Sequence, residues 1–113
     1  MREYGLIKYD FAAASLVSTV AGQTQSGLPT AYANVEPFAY GGFYAPSEFN
    51  GDTITFQSLI AGTAYTKLTK TAATGWNFFT ADELVQIASS GNLSISTGTA
   101  TAGAASIYLE LKS

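Results

Sequence analysis

Acid–base chemistry in this 113-residue sequence would fall mainly to its eight carboxylates, because it contains neither histidine nor cysteine. Without those two residue types the Ser-His and Cys-His nucleophile systems, thiol chemistry and zinc–thiolate sites are excluded. A pair of carboxylates could still cleave a glycosidic bond if held on either side of one. The candidate pairs are Glu48 with Asp52, flanking a loop, and the adjacent Asp82-Glu83. Their plainer reading is structural: the first pair solvates a loop and starts a strand, and the second sits in the first turn of a helix, near its positive dipole end. Asn50 and Asp52 offer oxygen atoms to a calcium ion, but two side chains fall short of a coordination shell. Asn92-Leu93-Ser94 fits a glycosylation sequon, and it fits strand alternation equally well. The expectation is a chain that is not an enzyme, with no catalytic residues, no metal ligands and no cofactor.

The more distinctive chemistry is aromatic. Seven Tyr, seven Phe and one Trp are more rings than a core of this size needs. Tyr40, Phe43 and Tyr44 fall in one short stretch, and Trp76, Phe78 and Phe79 in another. Exposed rings anchor protein interfaces or stack on sugars. Buried, they fill the space between two sheets, a role that suits Phe43, Trp76 and Phe78. Strand alternation turns only one side of each run inward, so some rings must face out. The candidate interface comprises Tyr40, Phe43, Tyr44, Trp76 and Phe79, with Tyr4, Leu6 and Tyr9 from an N-terminal arm at residues 1–12. A planar row such as Tyr44, Trp76 and Phe79 would suit a glycan.

The elements that must hold these residues read as short β-prone runs separated by turn signals. Runs at 4–9 and 15–20 come first, then a polar Gly- and Pro-bearing connection at 21–30. A long aromatic run, 32–44, follows; Pro37 gives it an edge or bend character, and Gly41-Gly42 predicts a bulge or kink. Residues 46–52 form a loop with Asn50-Gly51 as its sharpest turn. In 52–59, Ile54 and Phe56 face one way and Thr53, Thr55 and Gln57 the other. Strands at 64–70, after an Ala61-Gly62 turn, and at 75–79 follow. Thr80 with Glu83 is a capping-box pattern that predicts either one short helix over 80–88 or, at barely two turns, a turn plus a short strand. Leu93 and Ile95 point inward from a strand at 92–97, as do Ile107, Leu109 and Leu111 from the last strand, 104–112. The small polar loop 98–103 between them suits a hairpin.

About eight strands and at most one short helix predict an all-β domain, an antiparallel two-sheet β-sandwich or jelly roll spanning residues 1–113. This length supports one domain with a real core. Charged residues make up 12% of the chain, about half the usual ~25%. Ser, Thr, Gly, Asn and Gln therefore do much of the solvation. A net charge of −3 with no basic cluster points away from nucleic acid. The apolar run 11–22 could be read as a signal-peptide core, but Glu3 and Asp10 sit in its supposedly basic flank. It is too short and too polar to cross a membrane.

From Gly42 to Gln57 the chain reads GFYAPSEFNGDTITFQ, followed by Ala61-Gly62 and the strand Tyr65-Thr66-Lys67-Leu68. Its C-terminal half ends in a strand at Leu93 to Gly98, a Thr/Ala-rich loop, and a final alternating strand at Ile107 to Lys112. This pattern resembles small bacteriophage virion structural proteins of β-sandwich type. The resemblance implies a virion component that binds the major capsid protein or other virion proteins, most simply a capsid decoration (cement) protein. Such a protein would work in many symmetric copies on the capsid surface, after assembly in the host cytoplasm. A tail, neck or baseplate accessory of the same fold, or a carbohydrate-binding module, is the alternative. In each case the chemistry is binding and assembly.

Overall fold

The computed structural model of the chain describes residues 5–20, 33–34, 40–88, 92–99 and 101–112. Eight strands follow one another: β1 (Gly5–Phe11), the two-residue β2 (Ala33–Asn34), β3 (Tyr40–Ala45), β4 (Thr53–Ile60), β5 (Thr63–Thr71), β6 (Gly75–Phe78), β7 (Asn92–Thr97) and β8 (Ala105–Lys112). One helix, α1 (Ala81–Ala88), lies between β6 and β7. The strands form two antiparallel four-stranded sheets, ordered β1-β8-β3-β6 and β2-β7-β4-β5. This order makes the sandwich a jelly roll, the eight-stranded double Greek key.

Only β4 and β5 join as a hairpin within one sheet; every other connection carries the chain from one sheet to the other. The predicted hairpin at 98–103 is therefore a crossover. It leaves β7, is held by a bond from Ala14 N to Thr101 O, and delivers β8 to the middle of the opposite sheet. Alternation gives each strand its faces but says nothing about which neighbour it pairs with. The β4–β5 turn follows from its residues: Ala61 and Gly62 both take positive φ (52° and 82°), the tight turn that matches strand twist.

Glycine at 41 and 42 has a different role from the predicted bulge. β3 pairs with β8 in unbroken register from Tyr40↔Lys112 to Tyr44↔Tyr108. A Cβ at Gly41 would lie 2.6 Å from Leu111 Cδ2, and one at Gly42 would lie 2.6 Å from the Asn77 carbonyl oxygen. The pair allows close approach. The register shift occurs instead between Phe56 and Gln57, where β5 carries Lys67 as an extra residue.

The core lies between the two inner faces. β1 contributes Ile7, Tyr9 and Phe11, β3 contributes Phe43 and Ala45, and β8 contributes Ile107, Leu109 and Leu111. Ile54 and Phe56 of β4 and Leu93 and Ile95 of β7 close on them from the second sheet. Tyr9 is fully buried, and its hydroxyl donates to Leu93 O at 3.0 Å, tying one sheet to the other. Burial pushes its phenol well above the ordinary tyrosine value.

Residues 12–20 seal one side of the sandwich. Thr19 bridges to Asp10 of β1, while Val17 bridges to Ser96 of β7. Gly5–Phe11, within the predicted N-terminal arm, is paired along its whole length with β8 and is a strand of the chain's own sheet. Residues 1–4 of that arm lie outside the described residues, as does the connection at 21–30.

The helix starts where the capping box predicts. Thr80 Oγ1 accepts from Glu83 N at 3.2 Å, and Glu83 Oε1 accepts from Thr80 N at 2.8 Å. Glu83 also pairs with Lys70 of β5 at 3.2 Å, fixing the helix across the end of the core with Leu84 and Ile87 inward. The bond from the Thr80 backbone, with the nearby Lys70 ammonium, holds the Glu83 carboxyl below its ordinary value of about 4.5. A carboxylate with a depressed folded-state pKa stabilises the protein above its ordinary value, and the effect fades as pH falls through the folded one. Thr80→Ala is expected to cost ~1 kcal/mol in urea denaturation. Glu83→Gln should destabilise at pH 7, and the gap to wild type should close as the pH is taken below about 4.5.

Candidate functional site

The outer face of the β1-β8-β3-β6 sheet is built by phase alone. Phe43 and Ala45 point into the core, so Tyr40, Gly42 and Tyr44 of β3 point out. Asn77 points inward from β6, where its amide bonds Ala73 N, Ala73 O and Gly75 O and fixes the turn that starts the strand. Trp76 and Phe78 therefore face outward. Cross-strand register sets the spacing: Lys8 lies opposite Tyr108, Tyr108 opposite Tyr44, and Tyr44 opposite Trp76. One row of three aromatic rings thus runs across β8, β3 and β6 and ends at a lysine on β1. Glu110, Gly42 and Phe78 form the next row.

The rings touch one another. Tyr44 meets Trp76 edge-on at 5.5 Å, and Trp76 lies nearly parallel to Phe78 with centroids 6.5 Å apart. Relative exposure is 67% for Tyr40, 37% for Tyr44, 46% for Trp76 and 72% for Phe78. Tyr108 and Glu110 beside them are half-buried. Polar groups border the patch: Lys8 pairs with Asp10 at 3.6 Å, and Asp10 accepts from Ser106 Oγ at 2.7 Å. A face of this kind can take up a flat or apolar surface and orient it with a few polar contacts.

The candidate interface residues divide between surface and core. Tyr40, Tyr44 and Trp76 share the outer face. Tyr9, Phe43 and Phe79 are core side chains and offer nothing to a partner while the fold is intact. Phe43, Phe56 and Phe79 pack as a triangle with centroids 5.5 to 5.8 Å apart. Leu6 is placed by its backbone in β1, and Tyr4 lies outside the described residues. Trp76, offered both as interface and as core filling, and Phe78, offered only as core filling, are the exposed members of their run. The signal that separates Phe78 from Phe79 is the inward Asn77, whose bonds to the 73–75 turn fix the phase of the strand.

Glu48, Asn50 and Asp52 line one open pocket of about 210 Å³ with Gly51 and Thr99, so the first carboxylate pair comes together there. Asp52 Oδ1 accepts from Thr53 N and Asn50 Oδ1 from Thr74 N, so both serve the turns around β4 and β6. Glu83 is committed to its capping box. No group of three or more acidic residues that could hold a metal ion occurs among the described residues. Asn92 of the sequon is buried, with its amide bonded to both N and O of Leu59, so strand structure claims it. No described helix is long and apolar enough to cross a membrane.

Compared with known proteins, the chain matches no family model, no curated protein and no solved structure. Its function is therefore argued from the surface itself. Trp76→Ala and Phe78→Ala should each change stability by less than ~1 kcal/mol, as exposed positions do. Phe43→Ala should cost ~3–5 kcal/mol. Thermal and urea unfolding of the three variants checks the division between surface and core.

Proposed function

We propose that the chain is a structural component of a bacteriophage virion, a capsid decoration (cement) protein that docks on the major capsid protein through the outer face of β8, β3 and β6. The observation that carries this reading is the contiguous set of exposed rings on that face: Tyr40, Tyr44, Trp76 and Phe78. Aromatic side chains dominate interface hot spots, and clustered exposure of this kind on a soluble domain marks an interaction surface. The sparse charge leaves few groups that must be desolvated on docking. By analogy of architecture, jelly rolls recur in viral capsid and lectin domains, which favours assembly and binding roles without selecting one.

The mechanism is mechanical. A rigid sandwich bound across neighbouring capsid subunits adds buried interface that must be broken before the subunits part. A tail, neck or baseplate position would use the same face against another virion protein. A second reading, binding of a carbohydrate, is favoured by the row Tyr108, Tyr44 and Trp76, an aromatic surface with the polar Glu110 in the next row.

Quantitative mass spectrometry of virions of the phage that encodes the chain tests the proposal. The copy number should be in simple ratio to the major capsid protein. A few dozen copies or fewer would move it to the tail or neck, and complete absence would sink the virion reading. Trp76→Ala together with Phe78→Ala should reduce capsid binding by at least ~30-fold, as loss of interface anchors does. If oligosaccharides instead quench the Trp76 emission, the sugar reading takes precedence.

A further inference from the structure

Each sheet ends in two edge strands, and an edge strand presents unpaired backbone groups that invite another strand. The fold protects most of its edges. β1 carries Lys8 and Asp10 and is bridged by Thr19. β5 carries Lys67 at its register shift and Lys70 in the pair with Glu83. Charges and bulges of this kind discourage strand addition. β6 lacks those devices: Gly75-Trp76-Asn77-Phe78 holds no charge, no proline and no bulge, and only its length of four residues limits pairing. The helix that follows it packs on β3, β4, β5 and β7. Among the described residues, nothing pairs with the outer side of β6.

The direction of its backbone groups follows from one bond. Phe79 N donates to Gly41 O at 3.0 Å, which makes this a hydrogen-bonded pair. Alternation then makes Phe43 and Asn77 the next such pair, so the N–H and C=O of Trp76 and Phe78 point away from β3. The two residues whose rings are exposed are also the two whose backbone faces the open edge.

We propose that a second copy of this chain adds its own β6 to this edge, antiparallel, about a two-fold axis at Asn77. In that register Trp76 lies opposite Phe78 of the second copy, and Phe78 opposite Trp76 of the second copy. Both pairs are hydrogen-bonded, so four N–H···O bonds close the junction, and all four rings stand on the same outer face. The second copy is the fitting occupant because a two-fold contact must be self-complementary, and any charge near the axis would meet its own copy. None of Tyr40, Tyr44, Trp76, Asn77 and Phe78 is an Asp, Glu, Lys or Arg, on a chain of net charge −3. A groove of about 360 Å³ opens at the Phe78 end of β6, lined by Tyr40, Gly41, Phe78, Phe79, Ala81 and Leu84. Trp76 of the second copy arrives beside Phe78, on the side of β6 away from β3. The result is one eight-stranded sheet on which the aromatic row repeats across the axis. This inference stands whichever partner meets the outer face.

Analytical ultracentrifugation of the purified chain between ~1 and ~100 µM, a range that brackets weak to moderate self-association, is the test. The mass should rise from 11.8 kDa to twice that value. The emission of Trp76, the sole tryptophan, should shift to the blue in step. In hydrogen exchange, the amides of Trp76 and Phe78 should be protected in the dimer and lose protection on dilution. Phe78→Lys, which sets two like charges near the axis, should weaken association at least ~10-fold while the far-UV spectrum is kept. A wild-type chain that stays monomeric up to ~100 µM overturns the proposal. So does a dimer in which those two amides exchange as fast as in the monomer, and that measurement needs no variant to fold.

Discussion

The packing of Phe43, Phe56 and Phe79 into one triangle of rings is the contact on which the rest of the structure depends. Phe43 comes from one sheet, Phe56 from the other, and Phe79 from the entry to the helix, all within 5.8 Å of one another. Each ring fixes the phase of its own segment. Phe43 inward puts Tyr40 and Tyr44 outward, and Phe56 inward sets the faces of β4. Phe79 inward, with Asn77 two residues before it, leaves Trp76 and Phe78 no place in the core. The exposed aromatic face is thus the complement of the buried aromatic cluster, produced by the same alternation.

Polar groups finish what this packing begins, and they do so at the ends of elements. Asn77 fixes the turn into β6, Asn92 continues the pairing of β4 with β7 by bonding Leu59, and Thr80 with Glu83 starts the helix. The Tyr9 hydroxyl joins the sheets through Leu93 O. Every buried side-chain polar atom among the described residues has a partner. With so few charged residues, orientation within the fold rests on amides and hydroxyls, whose hydrogen bonds are shorter-ranged and more directional than charge pairs. One side of the sandwich is sealed by residues 12–20, while on the other, among the described residues, β5 and β6 are the edge strands. The exposed rings of Tyr44, Trp76 and Phe78 and the edge of β6 therefore lie together.

Local signals that depend on neighbouring residues were legible in the sequence. Ile54 and Phe56, Leu93 and Ile95, and Ile107, Leu109 and Leu111 all face inward as their alternation predicts, since period two is a property of the strand itself. The Thr80–Glu83 box and the Ala61-Gly62 turn are also local, because each is closed by atoms three residues apart or fewer. The two-sheet all-β architecture followed from the number and spacing of such runs.

What only the tertiary structure decided is everything that depends on a partner distant in sequence. Loop 98–103 reads as a hairpin but crosses between sheets, because β8 finds its neighbours in β1 and β3. Gly41 and Gly42 read as a kink but are needed for close approach to Leu111 and Asn77. Phe78 and Phe79 are indistinguishable as neighbouring phenylalanines, yet one is exposed and the other is in the core. Composition and alternation require only that some rings point each way. Which rings they are depends on long-range contacts, since only the facing sheet supplies the apolar surface that makes burial favourable.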